Sequence, residues 1–323
     1  MDIRCAPPLS ASASLPPALQ REVVRRTGIP ITAVTPAHGG FASQITLHVD
    51  AGPQRFFLKA VPLASASRFS RLALAREERV YRELAPILAP YAPALLGSFK
   101  ASGWHALLLE DVGDPPATLP DEAGLAWLAQ AYAAYHRGHA GQILPPWIAR
   151  RPWRGMIVPR PRRIGRPARS GEAGGAGDLR RRLRTLALPL RSAPASALLH
   201  LDTRRDNLAL QGGRLRLFDW AMAAAGPPEY DVAAFAQSIA AEGGPDPENF
   251  VAAYREIVPL DAHLLIASAA DIAGYFLDVI DQAPPESALS RKRRAQLNAT
   301  LGWLARTRLV DIEGDRTNLL ATV

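Results

Sequence analysis

The sequence predicts an α+β fold in two parts: an N-terminal antiparallel β-sheet lobe with one helix, then a mainly α-helical C-terminal lobe. Between about residues 31 and 110, short apolar runs alternate with turns, whereas beyond about residue 120 the chain is rich in Ala and Leu at helical spacing. With 323 residues, of which 48% are hydrophobic, the chain can bury a substantial core. We expect a flexible leader at 1–15, the N-terminal lobe at 16–110 and the C-terminal lobe at 111–323.

Period-two alternation and turn residues indicate the strands of the N-terminal lobe. Ile45–Val49 alternates apolar with polar residues, and Arg55–Val61 follows a turn that contains Gly and Pro, so the pair predicts an antiparallel hairpin. Ser67–Leu84 carries apolar residues at helical spacing. Two further strands, Leu95–Phe99 and Trp104–Leu109, complete the predicted sheet.

The C-terminal lobe combines helices with a few short strands. Asp121 suits the N-cap position of the first of these helices, and the Arg-, Pro- and Gly-rich segment Pro159–Gly177 predicts a loop or insertion. The predicted helices are Asp121–His139, Asp231–Ala241, Glu248–Ile257, Asp261–Asp281 and Glu286–Leu309. The predicted short strands are Ala197–His200, Leu208–Gln211 and Leu215–Phe218.

Charge is distributed unevenly along the chain. The formal net charge is +8 and the sequence pI is near 10.1. Yet Arg150–Arg191 holds thirteen arginines and two acidic residues, whereas Glu229–Glu286 holds eleven acidic residues and one arginine. An argument from the overall charge therefore fails, and each region has to be considered for its own partner.

Cysteine content and hydropathy exclude several classes of protein. The single cysteine, Cys5, rules out a disulfide framework and a cysteine zinc site, and it suits a reducing compartment, which we take to be the cytoplasm. Met1–Pro17 lacks the apolar core of a signal peptide. The longest apolar run, His263–Ile280, contains Asp271 and Asp278, so we expect no membrane-spanning segment.

A polar motif in the C-terminal lobe is the strongest functional signal. The residues from His200 to Asn207 read His-Leu-Asp-Thr-Arg-Arg-Asp-Asn, and a short hairpin leads from there to Asp219. Phosphoryl transfer needs a carboxylate that orients the attacking hydroxyl, here Asp202, and oxygen ligands for Mg²⁺, here Asn207 and Asp219. The alternative is that these are ordinary polar residues of a surface loop.

A lysine in the N-terminal lobe fits the same chemistry. Lys59 lies within the apolar strand Arg55–Val61, where a charge is costly unless it is paired. Either Glu77 or Glu78, on the helix that follows, could pair with it, as a kinase requires of the lysine that contacts nucleotide phosphates. The alternative is an edge-strand lysine in solvent.

Taken in order, these features resemble the aminoglycoside phosphotransferase and choline kinase superfamily, a branch of the protein-kinase-like fold. The resemblance extends over about residues 31–235, beginning with a Gly-Gly turn ahead of the first hairpin. It implies a two-lobed protein-kinase-like fold, ATP or GTP as phosphoryl donor, Asp202 as catalytic base, and Asn207 and Asp219 as Mg²⁺ ligands. The residues that it implies for nucleotide binding are Lys59, Glu77, Gly39, Gly40, Ser43, Glu110 and Val112.

The motif departs from the family pattern at two positions. Leu201 replaces the usual glycine, and we expect a non-glycine backbone conformation there. Arg205 replaces the usual proline, and it either adds charge near the phosphates or faces solvent. The resemblance also favours Glu77 over Glu78 as the partner of Lys59. Residues expected to support the site rather than to perform chemistry are His136, His139, His200 and Asp231.

The acceptor is the least determined part of this interpretation. In this superfamily, helices after the metal-binding strand build the acceptor site, and here that region is acidic, which suits a cationic acceptor such as an aminoglycoside. The candidate acceptor-site residues are Asp271, Asp278 and Asp281. The alternatives are a kinase of a primary metabolite (an amino alcohol, a sugar or a homoserine-like compound) and a non-catalytic nucleotide-binding pseudokinase. Nucleic-acid binding by the basic segment Arg150–Arg191 is a third hypothesis.

Overall fold

The protein has a mixed α+β fold, as its sequence predicts. The residues that the structure, a computed structural model, describes are 15–37, 45–148 and 175–307. The helices, in chain order, are α1 (Pro17–Thr27), α2 (Arg68–Glu83), α3 (Ala85–Leu88), α4 (Glu122–His139), α5 (Gly175–Leu186), α6 (Glu229–Ala241), α7 (Pro247–Arg255), α8 (Ala262–Val279) and α9 (Ala288–Arg306). The strands are β1 (Ile31–Pro36), β2 (Ile45–Ala51), β3 (Gln54–Pro62), β4 (Leu95–Ala101), β5 (Trp104–Glu110), β6 (Ala197–Leu199), β7 (Leu208–Gln211), β8 (Arg214–Leu217) and β9 (Ala224–Gly226).

The chain divides into two compact units. The first unit comprises Met1–Ala117 and Asp206–Met222, and the second comprises Thr118–Arg205 and Ala223–Val323. The β7–β8 hairpin, which the sequence places in the C-terminal lobe, is therefore part of the first unit. The lobe boundary at residue 110 stays a prediction.

A five-stranded antiparallel sheet forms the body of the first unit, in the strand order β1-β2-β3-β5-β4. The predicted β2–β3 hairpin is confirmed, with Thr46 opposite Lys59, and β3 pairs on its other edge with β5, where Leu107 lies opposite Lys59. Lys59 thus sits on the central strand of the sheet. The outer strand β1 has no counterpart among the predicted strands, because its residues are only partly buried and do not alternate cleanly.

The core of the first unit begins earlier in the chain than the sequence suggests. Leu15, Leu19 and Val23 are buried in one apolar cluster with residues of the sheet such as Leu47 and Leu58. Most of the leader expected at 1–15 lies outside the described residues, but Leu15 itself is part of this core. The α1 helix that follows was not predicted, because its remaining residues are mostly polar or exposed.

The α2 helix packs one face against the first unit and carries Glu77 on that face. Ser67 caps its start by accepting a hydrogen bond from the backbone N–H of Ser70. The buried side chains of α2 are Ser70, Leu74, Glu77, Val80 and Tyr81. A carboxylate in this otherwise mostly apolar stripe has to be paired.

Helices dominate the second unit, as the sequence predicts. The α6 helix is buried along most of its length, and it packs against α7, α8 and α9. The short strands β6 and β9 pair antiparallel, from Ala197 with Gly226 to Leu199 with Ala224. This pairing positions the chain directly ahead of His200. Residues 159–174 of the predicted loop Pro159–Gly177 lie outside the described residues. Its last three residues belong to the helix α5, which begins at Gly175.

By length and composition, one helix of the described residues, α8, could cross a membrane, contrary to the expectation that no segment would qualify. Its mean hydropathy of 1.3 passes this test even though the helix carries Asp271 and Asp278. However, 56% of the stretch is buried within the protein, and Asp271 is 1% exposed. Such burial is typical of a core helix, which meets the same criteria of length and hydropathy.

Candidate active site

Lys59 is the centre of a buried ion-pair cluster in the first unit. Its Nζ lies 2.6 Å from Glu77 Oε2 and 2.8 Å from Asp219 Oδ1. The side chains of Lys59 and Glu77 are 6% and 1% exposed, whereas that of Asp219 is 29% exposed. Each of the three comes from a different element: β3, α2 and the turn after β8. The arrangement satisfies the requirement that a buried charge be paired.

The charges in this cluster depend on one another. Burial raises the pKa of Glu77 to about 7, and the charge of Lys59 opposes that rise. Burial would by itself lower the pKa of Lys59, but the carboxylates of Asp219 and Glu77 outweigh it and raise this pKa. Lys59 therefore remains a cation across the physiological range, held between two carboxylates.

Glu77 and Glu78 have separate positions, although the sequence alone allows either to pair with Lys59. Glu77 faces Lys59, whereas Glu78 accepts hydrogen bonds from Ser98 Oγ at 2.6 Å and is 2.8 Å from His105 Nε2. Ser98 and His105 belong to β4 and β5. Glu78 thus ties α2 to the sheet, while its neighbour Glu77 lies against the lysine.

Asn207 and Asp219 lie at the two ends of the β7–β8 hairpin. The backbone N–H of Phe218 donates to the carbonyl of Asn207 at 3.0 Å, which brings the two ends of the hairpin together. Asp219 has a φ of +66°, in the left-handed region. For a residue other than glycine this conformation costs about 1–2 kcal/mol, and such strain tends to occur at functional sites.

The donor set at these two positions suits a hard cation. An amide oxygen and a carboxylate are ligands that Mg²⁺ accepts, and Mg²⁺ usually keeps waters or phosphate oxygens as its other ligands. Among the described residues no cluster of three or more His, Cys, Asp or Glu side chains could hold a metal without such help. Asp219 is the more exposed carboxylate of the ion-pair cluster, so it is the one that a ligand could reach.

The segment after β5 lines a small, largely apolar pocket of the first unit. Its lining residues are Phe57, Pro93, Leu109, Glu110, Val112, Gly113, Asp114, Pro115 and Phe218. Glu110 and Val112, which the resemblance implies for nucleotide binding, are among them. The Glu110 side chain has a further contact that sequence reasoning missed: its Oε2 accepts from the backbone N–H of Ala94 at 3.0 Å and pairs with Arg216 on β8. Glu110 thereby links the pocket wall to the hairpin that carries Asp219.

Three of the residues predicted to bind nucleotide cannot be placed. Gly39, Gly40 and Ser43 lie outside the described residues. Their contact with phosphates stays a prediction based on the resemblance.

A single carboxylate, Asp231, fixes the loop that carries Asp202 in the second unit. Asp231 is fully buried and accepts hydrogen bonds from the backbone N–H groups of His200 and Leu201, at 2.7 and 2.9 Å. The Tyr132 hydroxyl donates to it at 3.1 Å. Burial would raise the pKa of Asp231, but its contacts with His136 and His200 hold it below its usual range.

The two histidines of α4 are packing residues, as expected. His136 is 2% exposed and its Nδ1 lies 2.7 Å from the Tyr254 hydroxyl. His139 is 4% exposed and its ring packs against that of Tyr135. Neither ring is accessible enough for acid–base chemistry with a ligand.

The prediction of a non-glycine backbone conformation at Leu201 was wrong. Its φ is +67°, the left-handed conformation that glycine adopts most readily, so this leucine takes the conformation that favours a glycine. The cause is a contact distant in sequence, because Asp231 accepts hydrogen bonds from the successive backbone N–H groups of His200 and Leu201 and thereby determines the course of the chain. Those bonds offset a strain of about 1–2 kcal/mol.

Two adjacent arginines in the loop have different partners. Arg205 Nε lies 2.6 Å from Glu242 Oε2, so it does not merely face solvent, and its charge near the phosphates stays a prediction. Arg204 Nε lies 3.3 Å from Asp202 Oδ1. Sequence reasoning missed Arg204, and the signal for it was the first basic residue of the Arg-Arg pair, two positions after Asp202.

Two of the predicted acceptor residues, Asp271 and Asp278, already have partners within the protein. Asp271 is 1% exposed and accepts from the Tyr230 hydroxyl at 3.0 Å, whereas Asp278 pairs with Arg180 at 2.7 Å. The side chain of Asp281 lies outside what the structure describes. Their role at an acceptor site stays a prediction, and the contacts of Asp271 and Asp278 are those of structural residues.

The same holds for the acidic region as a whole. Nine of its eleven acidic side chains accept a hydrogen bond or an ion pair from the chain itself, and they are Glu229, Asp231, Glu242, Asp246, Glu248, Glu256, Asp261, Asp271 and Asp278. A count of charges therefore overstates how many carboxylates are available to a ligand, since most of them already bind groups of the protein, and Glu242, Asp246 and Asp278 pair with arginines.

Several solved structures share this fold. A thermostable mutant of an aminoglycoside phosphotransferase is similar with a TM-score of 0.64 and 16% identity, covering 90% of this chain and 100% of that one. A candidate fructosamine-3-kinase from Haemophilus somnus 129PT has a TM-score of 0.56 and 18% identity, covering 87% and 96%. A microcompartment-associated aminopropanol kinase has a TM-score of 0.57 and 14% identity, covering 89% and 98%. Identities this low establish the fold alone.

Sequence comparison with a family model is more decisive. No curated protein sequence matched the chain. The model of the Phosphotransferase enzyme family, however, matches residues 33–265, which include Lys59, Asp202 and Asp219 and amount to well over half of the chain. The chain therefore belongs to the Phosphotransferase enzyme family.

Proposed function

We propose that the protein transfers the terminal phosphoryl group of ATP or GTP to a hydroxyl group of a small molecule. The observation that carries the proposal is the buried cluster of Lys59, Glu77 and Asp219. A lysine held as a cation beside a partly exposed carboxylate supplies the two charges that a nucleotide–magnesium complex needs. An enzyme without that role would have little reason to keep a buried lysine and glutamate beside a partly exposed aspartate.

On the donor side, Lys59 would bind the nucleotide phosphates and the pocket after β5 would receive the base. The apolar lining of this pocket, with Phe57, Val112 and Phe218 among its residues, suits a flat heterocycle. Asn207 and Asp219 would hold Mg²⁺, which when bound neutralises charge on the phosphates. Because the carboxylates fix the position of Lys59, its ammonium group is oriented before the nucleotide binds.

On the acceptor side, Asp202 would accept the proton of the attacking hydroxyl. Its loop is held by Asp231 through two backbone hydrogen bonds, and the backbone N–H of Asp202 donates to His200 Nδ1 at 3.3 Å. Arg204 Nε, 3.3 Å from Asp202 Oδ1, places a positive charge beside the carboxylate. The chain retains the phosphate-binding lysine, the base and both proposed Mg²⁺ ligands, which argues against a non-catalytic pseudokinase.

The acceptor that we propose is an alcohol that also carries an amino group. The three similar structures are described as an aminoglycoside phosphotransferase, a fructosamine-3-kinase and an aminopropanol kinase, and each of these names refers to a compound with both groups. The acidic region gives weaker support to a polycationic antibiotic than its charge count suggests, because most of its carboxylates already bind other groups of the protein. A small amino alcohol or amino sugar is thus as good a candidate as an aminoglycoside.

An acceptor screen tests this proposal. The protein would be incubated with Mg²⁺, ATP or GTP, and panels of aminoglycosides, amino alcohols, amino sugars and neutral sugars, with product detected by mass. We expect transfer to one class, reduced about 10²–10⁴-fold in Asp202→Asn. The matched control is Asp206→Asn, which removes a carboxylate from the same loop and should remain active. Equal activity in Asp202→Asn and the wild type would contradict the assigned base.

A further inference from the structure

His48 on β2 lies between two carboxylates of the segment that follows β5. Its Nδ1 is 2.6 Å from Asp111 Oδ2 and its Nε2 is 3.0 Å from Asp114 Oδ1. The histidine is 2% exposed. These contacts join residues more than sixty positions apart in sequence, and neither the family match nor the proposed mechanism assigns them a role.

The geometry identifies the charge state of the ring. A carboxylate only accepts hydrogen bonds, and a neutral imidazole has one N–H, so it can donate to one of the two carboxylates but not to both. Only the imidazolium ion donates from both nitrogens. The pKa of His48 is raised, first by the hydrogen bond with Asp111 against the opposing effect of burial, and further by Asp114.

The other groups around the ring leave this assignment unchanged. Arg55 on β3 is 3.0 Å from Asp111 Oδ2 and 3.5 Å from Asp50, so it shares Asp111 with the histidine. The ring of Phe57 packs edge-on at 5.6 Å. Across the other edge of β2, His48 is paired with Thr35 of β1, a strand without charged residues.

What the histidine holds is the wall of the proposed nucleotide pocket. The consecutive residues 112–115 all line that pocket. Asp111 comes directly before them in the chain. Asp111 is anchored three times, by His48, by Arg55 and by the backbone N–H of Gly113 at 2.9 Å. Asp114 is 50% exposed, so its bond to His48 is the weaker half of the pair.

We infer that His48 is a positioning residue for nucleotide binding: its imidazolium ring fastens Asp111 and Asp114 and thereby holds the pocket wall in the conformation that accepts the base. The inference rests on the proposed function, because it takes this pocket to be the nucleotide site. It predicts that the bond to Asp114 is lost first when the ring loses a proton, since Asp111 keeps its other partners.

The direction of the pH effect follows from the raised pKa. A histidine whose pKa in the folded protein lies above its ordinary value of 6.5 is charged below that value and loses its proton as the pH rises through the raised pKa. Nucleotide affinity should therefore be highest at mildly acidic pH and should fall as the pH rises through the raised pKa of His48, because the contact with Asp114 weakens.

The test is a titration of nucleotide affinity against pH. Calorimetry with a non-hydrolysable ATP analogue and Mg²⁺, from about pH 6 to about pH 9, would compare the wild type with His48→Gln. Glutamine can donate to one carboxylate but cannot titrate. We expect affinity about three- to tenfold weaker than wild type at the acidic end and a difference that disappears at the alkaline end.

Two further variants make the test specific. His263→Gln applies the same chemical change to an exposed histidine, and it should keep the wild-type profile, including any contribution from the phosphates of the analogue. Asp114→Asn should weaken binding as His48→Gln does, and the double variant should be no weaker than either single one. Because Asp114 is half exposed, this variant should fold even if His48→Gln does not.

The outcomes separate the two proposals. If the wild type binds nucleotide but shows the same pH profile as both His48→Gln and Asp114→Asn, the positioning role of His48 is wrong and the proposed function stands. If the wild type binds no nucleotide at any pH, the proposed function fails and this inference fails with it.

Discussion

The two units hold their polar groups in opposite ways. In the first unit, Lys59, Glu77 and Asp219 come from distant points of the chain and neutralise one another as side chains. In the second unit, Asp231 holds a loop mainly by accepting backbone N–H groups, those of His200 and Leu201. This charge cluster fails when its single cation is removed, because the carboxylates are then left uncompensated. A backbone-anchored loop loses its hydrogen bonds one at a time.

The largest effect should therefore follow from breaking the charge cluster. Lys59→Met leaves the buried carboxylate of Glu77 without its cation, and we expect it to lower the free energy of unfolding by about 3–5 kcal/mol. The double variant Lys59→Met with Glu77→Gln should recover part of this loss, because it removes the charge that was stranded. Urea unfolding measures both. A single variant as stable as the wild type would show that the three groups are not a coupled buried cluster.

A smaller effect is expected when the loop anchor is weakened. Asp231→Asn keeps one acceptor oxygen and turns the other into a donor that faces a backbone N–H, so we expect about 2–3 kcal/mol of destabilisation. Because the loop carries Asp202, phosphoryl transfer should fall more than nucleotide affinity does. Parallel measurement of unfolding, of nucleotide binding and of turnover checks this. Loss of binding and turnover to the same degree would contradict a role confined to the loop.

The smallest effect, and the only gain, is expected at Leu201. Leu201→Gly relieves the left-handed strain and should raise stability by up to about 1 kcal/mol, offset in part by the freedom that glycine gains in the unfolded chain. Leu201→Ala is the matched control, since it removes the same side chain atoms beyond Cβ without relieving the strain, and it should be less stable than the glycine variant. Thermal unfolding distinguishes them. If alanine proved equal to glycine, the positive φ would carry no strain.

The same comparison explains what the sequence could predict. The pairing of Lys59 could be predicted because a charge in an apolar strand must have a partner, and the next helix offers two adjacent glutamates. The hairpins and most helices could be predicted from the periodicity of their apolar residues. By contrast, the conformation of Leu201 depends on Asp231, thirty residues further on, and no local pattern contains that information.

Charge counting is limited for a related reason. The acidic region suggested a surface for a cationic acceptor, yet Asp271 and Asp278 are used by Tyr230 and Arg180. A sequence shows how many carboxylates a region has but not which of them already have a partner. The choice between an aminoglycoside and a smaller amino alcohol therefore depends on experiment rather than on composition.

The central claim is that the protein moves a phosphoryl group from a nucleotide to a hydroxyl. The most direct measurement follows the γ-phosphate of ATP by ³¹P NMR in the presence of Mg²⁺ and an amine-bearing alcohol, with Asp202→Asn alongside. We predict that a new phosphomonoester signal appears with the wild type, and that it is absent or appears much more slowly with Asp202→Asn. If the γ-phosphate appeared only as inorganic phosphate with every acceptor, or as a phosphoramidate on the amine, the account would be contradicted.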